Sequence, residues 1–210
     1  MALKVTLSFA VANRSAMDLV LPSEWQGATE LFRSIRQIRL LSSGSAIHDS
    51  NKPSRRRISF EAGKPVRLEY WFQPEKQSPQ PNLGFRPIVN SDYFVLTGRN
   101  FLVCPDLPEH DPVSVSVEWA NFPSSWTLAD SLGAQDRCQK GSTLLKLSNG
   151  LFIGGDFRLR TSSAAVPQLY LAVRGQWQFD DAYLAELASK VIADERRFWN
   201  DRSLPPILLF

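Results

Sequence analysis

Histidine and cysteine are scarce, with two of each in 210 residues. His48 lies in a Ser/Gly-rich loop and His110 in the turn PEHDP. Neither has a second histidine at ligand spacing, so no zinc site assembles locally. A Ser-His-Asp arrangement is not excluded by distance, but no serine carries the glycines of a nucleophile elbow. Both read as exposed loop histidines. Cys104 and Cys138 show no framework spacing, and a bridge needs their Cα atoms within about 7 Å. They read as two free thiols. No stretch approaches the ~18 apolar residues of a membrane span. The N-terminus alternates instead of forming a signal-peptide core, so the location expected by default is the cytoplasm. A net charge of +3 makes no case for nucleic acid. The triplet Asn13-Arg14-Ser15 fits a glycosylation acceptor but arises often by chance.

Strand and turn formers fill the chain instead: 14 Pro, 11 Gly, 13 Phe and 6 Trp. The length allows one large domain or two small ones. Leu3, Val5, Leu7, Phe9 and Val11 alternate with small or polar residues, the pattern of a half-buried strand. Asp18 to Leu21 reads as a second strand, closed by Pro22. Leu31 to Leu41 suits a helix or a strand, and its position before a Ser/Gly turn favours a strand for its second half. RRRISF and PVRLEYWF make two more, with Ile58/Phe60 and Val66/Leu68/Tyr70/Phe72 each on one face. DYFVLTGRNFLVCP reads as a hairpin about Gly-Arg-Asn. VSVSVEW alternates most strongly, through Val113, Val115, Val117 and Trp119. GSTLLKLSNGLFIGGDFRLRTS and PQLYLAVRGQWQF add further strands.

After Phe179 the period changes. Leu184, Leu187, Ala188, Val191, Ile192 and Phe198/Trp199 recur at the spacing of an amphipathic helix. Asp180 or Asp181 can cap its start, and Arg196 and Arg197 suit its C-terminal end. PPILLF then opens a new strand. The fold expected is mainly β: an antiparallel sandwich over 1–175, then one helix and a strand at 176–210 that begin a second, incomplete domain. The apolar ending, Ile207 to Phe210, leads to the expectation that the parent sequence continues.

Arg55-Arg56-Arg57 could hold an anion, yet the run opens a strand and suits a soluble sheet edge. Gly154-Gly155 lacks the Lys-Ser/Thr of a phosphate loop and opens no helix, so a bulge is expected there. Trp71, Trp119, Trp126 and Trp177 could form a glycan platform, but each lies in or beside a strand, where a core role is commoner. No catalytic, cofactor-binding or metal-binding residue is assigned.

The order of several stretches resembles the N-terminal region of the glycyl aminopeptidase family of zinc metallopeptidases, thermolysin-like gluzincins. The stretches are VTLSFAVANRSAMDLVLPSEWQGATELFRSI, LGFRPIVNSDYFVLTGRNFLVCPD, VEWANFPSSWTLADSLG, LFIGGDFRL and VRGQWQFDDAYLAELASKVIADERRFWNDRSLPPILLF. In that family a β-sandwich packs on a catalytic domain whose His-Glu-x-x-His helix and a later glutamate hold zinc. No such motif can be written from His48 or His110. The resemblance therefore implies a non-catalytic scaffold that helps wall a substrate cleft and has no peptidase activity alone. It implies a catalytic domain as partner, packed on 176–210, and peptide as the parent's substrate. Zinc is expected only in that other part, with neither nucleic acid nor membrane as partner. The alternative is a stand-alone β-sandwich module that binds glycan or a protein.

Overall fold

The computed structural model describes residues 1–11, 13–74, 87–132, 139–162, 169–201 and 207–209. Cys138 and Phe210 lie outside them. Sixteen strands are found among these residues, most of them short. One sheet holds β1 (Leu3–Phe9), β6 (Val66–Phe72) and β3 (Ile35–Leu40) in the order β1-β6-β3. A second holds β4 (Ala46–Asp49), β5 (Arg55–Ser59), β2 (Ala16–Val20) and β9 (Cys104–Pro105), in that order. A third runs β11 (Thr127–Asp130), β13 (Leu151–Gly155), β8 (Tyr93–Thr97), β7 (Ile88–Val89). These pairs are all antiparallel. A two-stranded ribbon joins β10 (Pro112–Val115) to β12 (Gln139–Thr143). The last sheet orders β14 (Arg158–Thr161), β15 (Leu169–Val173) and β16 (Ile207–Leu209). The helices are α1 (Gly98–Phe101), α2 (Leu144–Asn149) and α3 (Asp181–Trp199).

The alternation in the sequence explains the principal core. Val66, Leu68, Tyr70 and Phe72 of β6 are all buried, as a period of two requires of one face. They join Leu19 and Ile58 from the second sheet and Phe94, Leu96 and Phe152 from the third. The Tyr70 hydroxyl donates to the Phe101 carbonyl at 3.0 Å and accepts the Val103 N–H at 3.1 Å. The other face of the third sheet, Val95, Ala129 and Ile153, packs on Tyr170, Ala172 and Leu208. Leu171, Val173 and Leu209 face the opposite way, onto Leu184 and Ala185 of α3. Every residue of β15 is buried, because layers cover the strand on both faces.

Several local expectations need correction. DYFVLTGRNFLVCP is no hairpin: β8 pairs with β13 and β7, while β9 crosses to β2. The one-turn α1 redirects the chain there, and a Cβ on Gly98 would lie 2.3 Å from the Leu147 carbonyl oxygen. Leu144–Asn149 is helical and not a strand, capped by the Thr143 hydroxyl, which accepts the Lys146 N–H at 3.2 Å. Gly154 and Gly155 sit in unbroken register with Leu128 and Thr127, so no bulge forms. They mark a close approach, since a Cβ on Gly154 would meet the Phe94 ring at 2.3 Å. His48 lies in β4, opposite Arg57, and not in a loop.

Candidate functional site

The residues that invite chemistry are dispersed or already occupied. His48 and His110 are exposed on separate segments. Among the described residues no three His, Cys, Asp or Glu side chains stand close enough to hold a metal. Arg55 and Arg57 are engaged by carboxylates. Arg57 Nη1 donates to Asp18 at 3.0 Å, and Arg55 pairs with Asp106 and Asp18. The Arg57 hydrogen bond, reinforced by Arg55, holds the Asp18 carboxyl below its usual range. A cavity of about 240 Å³ reaches Cys104, Arg55 and Arg99. Its cations are matched, since Arg99 donates to Asn149 at 2.8 Å and pairs with Glu109 at 3.7 Å. Burial pushes the Cys104 thiol up to about 11, which leaves it protonated and a poor nucleophile near neutral pH.

The tryptophans divide. Trp119 and Trp126 pack against Phe94 and Phe122 in the principal core, as expected. Trp71 and Trp177 are exposed, contrary to a core role. Trp177 stacks on Phe179 with centroids 5.6 Å apart, and its indole N–H donates to the Arg174 carbonyl at 2.8 Å.

That stacked pair opens onto the least satisfied surface of the molecule. Seven of the eleven exposed large apolar side chains among the described residues lie between 177 and 199. On α3, Tyr183, Leu187 and Val191 follow at four-residue spacing, and Phe198 returns to the same side two turns later. Their exposures run from 46% for Leu187 to 78% for Phe198. Leu184, Ala185, Ala188, Ser189 and Ile192 occupy the side toward β15 and are buried or half-buried. The helix is therefore apolar over the side toward β15 and over an adjoining exposed stripe that also carries Asp194, and polar opposite, through Glu186, Lys190 and Arg197. A helix with one sheet to cover needs a single apolar stripe. The exposed stripe suits a second layer.

The helix is firmly anchored at its start. The Asp180 carboxylate accepts the N–H groups of Ala182 and Tyr183 at 2.6 and 3.2 Å, so Asp180 is the cap. Asp181 takes a two-pronged contact from Arg158 of β14, at 2.7 and 3.1 Å. Arg158 also donates to the Gly175 carbonyl at 2.6 Å. The Arg158 bond, with Arg160 adding charge, holds the Asp181 carboxyl below its usual range. After the helix, β16 pairs parallel with β15, Leu169 opposite Ile207 and Leu171 opposite Leu209. β15, α3 and β16 form a βαβ unit, the connection that parallel strands require.

The fold is similar to that of solved peptidase structures. An aminopeptidase N family protein from Idiomarina loihiensis superposes with a TM-score of 0.76 over 99% of this chain, at 14% identity. An M1 zinc metallopeptidase from Deinococcus radiodurans aligns over 98% of the chain at 16% identity, with a TM-score of 0.49. At such identities the likeness is one of fold. The chain spans 36% of the length of the first protein and 50% of the second. No family model matches the sequence, and no curated protein matches it. Among the described residues no helix is long and apolar enough to cross a membrane.

Proposed function

We propose that this chain is a non-catalytic scaffold domain of a zinc metallopeptidase of the aminopeptidase type. The glycyl aminopeptidase-like gluzincins, which its segment order resembles, are the specific group proposed. In this proposal the sandwich runs over 1–175 and 176–210 are the first helix and strand of the catalytic unit, with β16 joined to β15 across that boundary. The single observation that carries this reading is the exposed apolar stripe of α3. The residues between 181 and 199 that touch β15 are already covered, and Tyr183, Leu187, Val191 and Phe198 need another folded layer. The aminopeptidase fold, with this chain spanning about a third of the longer protein, supports a catalytic domain as that layer. Zinc and the peptide's scissile bond belong there, and the domain described here walls the cleft.

The stand-alone glycan module is less well supported. Trp177 and Phe179 form one stacked exposed pair, while Trp119 and Trp126 are spent in the core.

The test uses the product of the complete gene and this chain side by side. The complete product should contain a His-Glu-x-x-His helix and hydrolyse glycine or alanine anilides, with activity lost to a chelator. This chain alone should be silent. Leu187→Glu with Val191→Glu should lower activity in the complete product while leaving this chain folded. Chelator-sensitive hydrolysis by this chain, or a complete product without that motif, would overturn the reading.

A further inference from the structure

A second cavity, of about 280 Å³, lies between the edge strands β3 and β4, beside β5. It shares no sheet with the α3 layer, and the scaffold role makes no use of it. Its floor is aliphatic: Leu21 and Ile35 are buried, and Ile38 and Ile47 are half-buried. Its rim is polar, with Gln37, His48, Asp49 and Arg56. The backbone there is unusual. Gln37 has φ 52°, in the left-handed region that non-glycine residues enter at a cost. It sits where the β3–β6 register shifts between Arg36 and Arg39. Such a bulge re-aims a side chain and ends regular pairing.

The rim donors are not used up by the protein. Gln37 makes no side-chain hydrogen bond among the described residues. Arg56 Nη1 is tied to the carbonyls of Pro53 and Arg55 at 2.9 and 2.6 Å. Those bonds hold the guanidinium in place with Nη2 lacking an acceptor among the described residues. Its Nε stands 3.6 Å from Asp49, which is almost wholly exposed. The cavity thus presents an amide and a fixed guanidinium above four aliphatic side chains, while the His48 side chain lies with Arg57 on the other face of its sheet.

We infer that this cavity binds a small aliphatic carboxylate, with the hydrocarbon on Leu21, Ile35, Ile38 and Ile47 and the carboxylate on Arg56 and Gln37. The volume falls just below the range of drug-sized pockets, which limits the ligand to about one branched side chain plus its charged head. A charged acceptor bound to Arg forms the stronger class of hydrogen bond. Either a plain short-chain acid or a free branched amino acid supplies this chemistry. Asp49 beside Arg56 separates the two, because only the amino acid offers it an ammonium group.

The experiment is titration of the purified chain, isoleucine methyls observed by NMR, with L-leucine, 4-methylpentanoate and 3-methylbutylamine. The expected result is saturable shifts at Ile35, Ile38 and Ile47 with both carboxylates and none with the amine. Arg56→Gln and Ile47→Trp should each weaken binding at least tenfold, with the melting temperature of at least one of them unchanged. Gln37→Gly, which suits the left-handed backbone, should weaken it severalfold without unfolding the chain. A plain-acid site binds 4-methylpentanoate as well as leucine. An amino-acid site prefers leucine, and Asp49→Asn removes the preference. Both patterns uphold the carboxylate site. Absence of saturable shifts at these methyls, or equal binding of the amine, would overturn it. Neither result bears on the scaffold reading, whose assay is hydrolysis by the complete gene product.

Discussion

The sandwich and the α3 layer dispose of their apolar side chains differently. In β6 the inward side chains are buried in one core with residues of the second and third sheets and the outward ones are mostly polar, so the strand's apolar face is covered. In α3 the inward side meets β15, while Tyr183, Leu187, Val191 and Phe198 meet water. Full burial of one such side chain contributes about 1.5–3 kcal/mol, comparable with a sizeable share of a domain's 5–15 kcal/mol. The sandwich therefore reads as a finished core and α3 as half of one. A polar substitution should damage the first severely and the second hardly at all, until the proposed second layer is present.

The sharpest way to break that contrast is to truncate one residue in each region. Phe72→Ala should lower unfolding stability by about 3–5 kcal/mol in a urea titration. Leu187→Gln should change it by no more than about 0.5 kcal/mol. Equal losses would mean that α3 already shares a closed core. A smaller effect probes the close contact between sheets: Gly154→Ala drives a methyl into Phe94 and Leu128 and should cost about 1–3 kcal/mol. Removing the helix cap with Asp180→Ala should cost about 1 kcal/mol, seen first as loss of helical circular dichroism.

The smallest effect is the most diagnostic of the α3 anchor. The Arg158 contact holds the Asp181 carboxyl below its ordinary value of 3.8. Its stabilisation is present above that value and is lost as the pH falls through the lower folded one. Asp181→Asn should thus lower the melting temperature at pH 7, and the gap from the parent should close in acid. A gap that persisted at low pH would assign the loss to the hydrogen-bond geometry and not to charge.

Much of this organisation was legible in the residues. The period of two in β1 and β6, the change of period after Phe179 and the Asp180 cap are local signals, and local signals survive folding. The near-continuous apolar run of β15 signals only another strand, because burial on both faces depends on α3 and the third sheet. The hairpin expected at Gly98 failed for a similar reason: strand partners are chosen by packing against β13 and β2, which lie far away in sequence. Gly154-Gly155 carried the signal of close approach, but not whether a bulge or a neighbouring Phe94 ring required it. The β3–β4 cavity had no motif at all. It arises from a bulge at Gln37 and from Arg56 being fixed by two carbonyls, neither of which a residue pattern encodes. The apolar face of α3 is visible as helical periodicity, but its division into a covered and an exposed part appears only once β15 is seen against it.

The most direct test of an unfinished α3 layer is hydrogen exchange on the native chain, comparing the α3 amides at 184–196 with those of β6. An unpartnered face makes α3 a separate, less stable opening unit. Its amides should exchange at least tenfold faster than those of Leu68, Tyr70 and Phe72. Equal protection of α3 and β6 would contradict the account, because it would show the helix to be as complete in this chain as the sandwich.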